Sequence, residues 1–98
     1  MLHILNKSPL EKHTLDTVLR LAPSGALLLI EDAVYAATRG NAAEGKLRQA
    51  MGRLKVYALA PDLAARGMAD RLIDGVATVD YEGFVDLVVE HPNNQSWL

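Results

Sequence analysis

Residues 55–67 read KVYALAPDLAARG: an apolar run, a proline, then an alanine-rich stretch closed by Arg66-Gly67. The run is a buried strand that stops at Pro61 and turns directly into a short helix. Ligands of open parallel sheets collect at such mouths, outside the carboxyl ends of the strands. Here the mouth holds Ala58, Leu59, Ala60 and Pro61, none of which can act as a nucleophile or an acid. The platform for a reactive group is present and the group is not.

Outward from this junction the same alternation recurs. Leu2 to Leu5 is a short apolar strand. Ser8-Pro9-Leu10-Glu11 has the form of a capping box, with Ser8 at the N-cap, Pro9 in the first helical position and Glu11 three residues beyond the cap. It predicts a helix whose apolar stripe is Leu15, Val18, Leu19 and Ala22, ended by Pro23-Ser24-Gly25. Ala26 to Ile30 is apolar without alternation, as in a strand covered on both faces. Asp32 then caps an alanine-rich helix running to Gly40. A further helix spans about Ala42 to Met51, and Gly52 stops it.

Beyond Gly67, Val76 to Val79 predicts a fourth strand, and Asp80 caps a helix from Tyr81 to about Glu90 that Pro92 ends. Asn93-Asn94 is a turn. The tail Gln95-Ser96-Trp97-Leu98 can fold back as an edge strand or wedge Trp97 into a groove, which makes Trp97 an anchor. Strands alternating with helices at this spacing imply an α/β fold, a largely parallel sheet of four to five strands with right-handed crossovers. The chain of 98 residues reads as a single domain over 1–98.

Composition excludes several functions. With no cysteine, disulfides, thiolate zinc sites and a persulfide on this chain are all ruled out. The net charge of −2 argues against bulk electrostatic binding to nucleic acid or an anionic membrane. The N-terminal apolar run is too short for a signal segment or a membrane span, so the expected location is cytoplasmic. No Gly-rich phosphate loop stands at any strand mouth. His3, His13 and His91 lie on different elements without ligand spacing, so neither a metal nor another cofactor is expected.

Glu31 and Asp32, at the mouth of the second strand, could form an acid/base or Mg²⁺ pair. The plainer role is helix capping by Asp32, with Glu31 at the positive helix end. Lys46, Arg48, Arg53 and Lys55 form a basic cluster, either a solvated face or a contact for RNA or an acidic partner. The last helix is less ordinary. Phe84, Val85, Leu87, Val88 and Val89 are apolar well beyond one stripe, more than a core this small can cover. They are candidate interface residues, joined by Trp97 in the tail.

Read in order, MLHILNKSP, LLLIEDAVYAA, KVYALAPDLAARG, VDYEGFVDL and HPNNQSWL make the chain resemble the TusB/DsrH family of sulfur-relay subunits, in the DsrE-like superfamily. The resemblance implies a layered α/β/α fold of Rossmann-like or flavodoxin-like type. It also explains the mouth after residue 58. Related subunits carry a cysteine at a position that falls at or beside Leu59 here, and DsrH-type members carry another at Val18. The family therefore implies a non-catalytic subunit that assembles with TusC-like and TusD-like homologues as a dimer of heterotrimers. Such complexes pass persulfide sulfur from TusA through TusD to TusE, toward 2-thiolation of the wobble uridine of certain tRNAs. A DsrH-like subunit of a sulfur-oxidation complex is the alternative, and an orphan α/β enzyme using Glu31 and Asp32 a third. Made alone, the chain is expected to self-associate; neither membrane attachment nor direct nucleic-acid contact is expected.

Overall fold

A computed structural model describes residues 1–97. Its frame is a five-stranded sheet in the order β4-β3-β2-β1-β5, with every pairing parallel. The strands are β1 (Leu2–Leu5), β2 (Gly25–Leu29), β3 (Leu54–Leu59), β4 (Ala77–Val79) and β5 (Asn94–Trp97). The helices are α1 (Thr14–Leu21), α2 (Glu44–Ala50), α3 (Ala60–Ala65) and α4 (Tyr81–Glu90), with a 3₁₀ segment at Glu31–Ala37.

The topology follows from handedness. From β1 to β4 the chain moves steadily in one direction across the sheet, and right-handed crossovers then place every connection on one face. Leu15, Val18, Val34, Leu47 and Leu63, one or two from each connecting helix, accordingly share a single core with Leu27, Leu29 and Val56. From β4 the chain returns to the far side of β1, so the same rule puts α4 on the opposite face. There Leu87 packs with Leu2, Ile4, Ala26 and Leu28. Four helical elements cover one face and one helix covers the other.

Local chemistry sets the element ends. Gly25 has φ +115°, and a Cβ there would strike the carbonyl of Met1, which accepts the Ala26 N–H at 3.1 Å. Arg53 donates to the carbonyls of Ala22 (2.9 Å) and Leu19, closing the otherwise open C-terminal end of α1. Asp80 Oδ1 accepts the Gly83 N–H at 2.7 Å and caps α4 as its sequence predicts.

Two predicted helix starts differ. The capping box does not form: Ser8 Oγ accepts from Leu10 N–H at 3.2 Å, and the Ser8 carbonyl from Glu11 and Lys12. Residues 8–12 are thereby spent on a turn, and α1 begins only at Thr14. Nor does Asp32 cap an α-helix running to Gly40. The segment is 3₁₀, its N-cap residue is Ile30, and Asp32 points to another element altogether.

Candidate functional site

The carboxyl ends of β1, β2 and β3 bring together the loops after Leu5, Leu29 and Leu59. At the β3 mouth, Leu59 is 2% exposed and serves as the N-cap residue of α3 without a side-chain cap. The other family cysteine position, Val18, is fully buried in the core of α1. Both positions hold hydrocarbon packed into the protein interior.

A polar network closes the same mouth. Arg66, at the end of α3, donates from Nε (3.0 Å) and Nη2 (2.9 Å) to Asp32 Oδ1. Its Nη1 donates to the Asp62 carbonyl at 3.2 Å and lies 3.9 Å from the Asp62 carboxylate. The other Asp62 oxygen accepts the Glu31 N–H at 2.6 Å. The hydrogen bond to Asp32, opposed by desolvation, raises the Arg66 pKa above its ordinary value. Glu31 itself is held at φ +50°, a left-handed conformation that costs energy in a residue with a side chain and that the bond to Asp62 stabilises. Asp32 is an anchor for the β3–α3 junction, and the predicted acid pair is divided between two separate tasks.

Sequence reasoning missed this network, although Asp62 and Arg66 stand four residues apart on one helix, a spacing that brings side chains together. Nothing local could have linked them to Asp32. Asn6, at the end of β1, keeps a buried Oδ1 without a hydrogen-bond partner.

Beside the mouth is a cavity of about 170 Å³, lined chiefly by Ser8, Pro9, Leu10, Leu15, Tyr35 and Ala43. Two of its polar neighbours are engaged within the chain. The Asn41 amide donates to Ala36 and Thr38 carbonyls and accepts from Ala43 N–H, and Lys46 pairs with Asp16 at 2.8 Å.

The predicted basic cluster is taken up in the same way. Arg48 pairs with Glu44 at 2.7 Å, Arg53 caps α1, and the Lys55 ammonium lies 5.7 Å from the centre of the Tyr57 ring. The three histidines stay apart. His3 accepts from Trp97 Nε1 at 3.2 Å, His13 lies 3.7 Å from Asp16, and His91 Nδ1 meets the Leu87 carbonyl at 2.9 Å. Among the described residues, no group of three or more acids and histidines is placed to hold a metal ion. No helix described is long and apolar enough to cross a membrane.

The interface candidates fall into distinct positions. Leu87 is 5% exposed and belongs to the chain's own core; Phe84 and Val88 are half-buried against it. Trp97 packs against the larger core and its ring lies 6.2 Å from that of His3, while Leu98 lies outside the described residues. Val85 and Val89 face solvent, and Tyr81, one turn earlier, stands exposed in line with them.

Residues 7–94 match the family described as DsrH like protein. The chain is 42% identical over 98 residues to Protein TusB of Pectobacterium parmentieri, covering 99% of this chain and 100% of that one. It is 39% identical over 97 residues to Protein TusB of Escherichia coli K12, covering 99% and 100%. Among solved structures, MTH1491 of Methanobacterium thermoautotrophicum superposes with a TM-score of 0.80 at 17% identity, over 98% of this chain and 96% of that one. The ychN protein of E. coli does so with a TM-score of 0.78 at 21% identity, over 98% and 97%. At such identities the two structures speak for the fold alone.

Proposed function

The chain belongs to the DsrH-like family, and on that premise we propose that it is a TusB-type subunit of a sulfur relay, a structural member that carries no sulfur itself. The observation behind this reading is the β3 mouth. Persulfide transfer needs a thiolate, and the position where related subunits carry one is Leu59, buried, with Arg66, Asp62 and Asp32 clamping the loops around it. The chain has no cysteine anywhere.

Its partners are TusC-like and TusD-like homologues, in a complex of TusBCD type. The pathway served is 2-thiolation of the wobble uridine of tRNA. This subunit contributes architecture, holding the thiol-bearing subunits in a fixed arrangement. The alternative role in sulfur oxidation has less behind it, because Val18 stands where that branch carries a cysteine and the relatives at about 40% identity bear the name TusB.

Deleting the chain from its host should abolish 2-thiouridine in tRNA digests, and a plasmid copy should restore it. Unchanged 2-thiouridine would overturn the tRNA role. In a reconstituted relay fed labelled sulfur, covalent label on a peptide of this chain would overturn the passive role.

A further inference from the structure

The cavity of about 170 Å³ lies over the carboxyl ends of β1 and β2, the end at which open parallel sheets take their ligands. Three connections wall it in: the turn after β1, the 3₁₀ segment after β2 and the turn that leads into α2. Pro9, Leu10, Leu15, Ala42 and Ala43 line it with hydrocarbon. Leu10 and Ala42 are exposed and stand at the rim, whereas Leu15 and Ala43 are buried behind them.

Two hydroxyl groups in its walls have hydrogen-bonding capacity to spare. Ser8 is only 8% exposed; its Oγ accepts the Leu10 N–H at 3.2 Å, and its own proton has no acceptor among the described residues. Tyr35 is half-buried, and its hydroxyl makes no hydrogen bond to the described residues. Enclosed hydroxyls find partners in the great majority of folded proteins. The charged groups at the cavity are already occupied: Lys46 and Asp16 pair with each other at 2.8 Å, and Lys12 is engaged as well.

We infer that this cavity is a binding site for a small neutral molecule with an aromatic or branched apolar body and one hydrogen-bonding oxygen. Size sets the body, since the space slightly exceeds the ~150 Å³ apolar cavity that takes up benzene. The hydroxyls set the polar atom: an oxygen placed between them accepts from Ser8 and exchanges a hydrogen bond with Tyr35. The walls set the charge. An ionised ligand would leave water for hydrocarbon and for charged groups that are already paired. There is room for one such body and no more, which favours a single small molecule over a peptide segment. None of these walls belongs to the β3 mouth, so the inference stands apart from the relay reading.

Phenol and toluene, equal in size and differing by one hydroxyl, are the probes. Titrated into the full chain, phenol should cause saturable NMR shifts at the amides of Leu10, Leu15, Tyr35 and Ala43, with a Kd in the millimolar range expected of so small a ligand. A purely hydrocarbon cavity would reject it. Tyr35→Phe should weaken phenol about fivefold, the worth of one hydrogen bond, and leave toluene unchanged. Ala42→Trp, a change at an exposed position, should plug the rim and abolish the shifts with both probes. Absence of saturable shifts with either probe would overturn the site, as would shifts that survive Ala42→Trp. Binding of toluene without phenol would refute an oxygen-bearing ligand. Equal weakening of both probes in Tyr35→Phe would reduce Tyr35 to a wall and remove its hydroxyl from the site. Loss of phenol binding once the chain is assembled with co-expressed TusC-like and TusD-like neighbours would identify a partner's side chain as the occupant, against the small-molecule assignment.

Discussion

On one face of the sheet, α1, the 3₁₀ segment, α2 and α3 lie side by side over Leu27, Leu29, Val56 and Ala58; on the other, α4 alone covers Leu2, Ile4, Ala26 and Leu28. Both sets of strand residues are 8% exposed or less, so each face is dry at its centre. The difference lies in what stands behind them. On the crowded face each helical element packs beside another and most apolar residues are buried, Leu21 at the end of α1 being the exception. The thin face rests on a helix that touches protein on one side only, and its remaining apolar surface looks outward. The crowded face secures the fold; the thin face leaves Tyr81, Val85 and Val89 of α4 exposed.

That contrast can be broken by cavity formation. Leu27 and Leu28 are consecutive, both 0% exposed, and point to opposite faces. Leu27→Ala should cost about 4 kcal/mol, because the packed helices above it cannot settle into the hole. Leu28→Ala should cost nearer ~3 kcal/mol, since α4 is free to move inward. Urea denaturation of both variants checks the order, and a larger loss for Leu28→Ala would reverse the comparison.

A smaller effect concerns the clamp on the crowded face. Arg66→Ala removes the guanidinium that holds Asp32 and Asp62, and should cost about 2 kcal/mol. Arg66→Lys should recover little of it, because an ammonium cannot reproduce the fork. An unchanged denaturation midpoint in Arg66→Ala would mean that Leu63 packing alone holds the mouth.

The cap of α4 sharpens the contrast further. Asp80→Ala removes the bond to Gly83 N–H and should cost about 1 kcal/mol. Hydrogen exchange should quicken at the amides of α4 while those of α1 and α2 keep their rates. Uniform quickening across both faces would show that the two layers open together.

The smallest expected effect is a pH dependence at the sheet edge. Burial, followed by the nearby N-terminal ammonium, lowers the His3 pKa from its ordinary value of 6.5. The indole N–H of Trp97 can only donate, so its bond requires an unprotonated Nδ1 on His3. The depressed folded value means that the unfolded chain takes up the proton first. This contribution is fully present above pH 6.5 and is lost as pH falls through the folded pKa. On mild acidification the wild type should lose a few degrees of Tm more than His3→Gln, with a red shift of Trp97 emission. Parallel Tm curves for the two proteins would exclude the His3–Trp97 bond as the cause.

Much of the fold and part of the site were legible because they depend on neighbours in the chain. Strand runs, the stripe of α1, the Asp80 cap, the missing thiol and the excess apolarity of α4 each follow from residue types within about ten positions. The alternation of strands and helices with right-handed crossovers even dictates an unequal covering of the sheet once the strand order is known.

The tertiary structure decided the rest, through contacts between groups far apart in sequence. EDAVYAA has the composition of an α-helix, yet Asp32 is drawn to Arg66 and the Glu31 N–H to Asp62, 34 and 31 positions away, and the backbone tightens to 3₁₀. Trp97 finds His3 across 94 positions only because β5 pairs with β1. The sequence of α4 declares more apolar surface than one core can use. Which half remains exposed depends on where the sheet lies, and burial of Leu87 against Leu2 and Leu28 leaves Tyr81, Val85 and Val89 outside. Local propensities are worth tenths of a kcal/mol per residue, whereas a buried side chain or a charge-assisted bond is worth one to several, about enough to overrule them wherever distant segments meet.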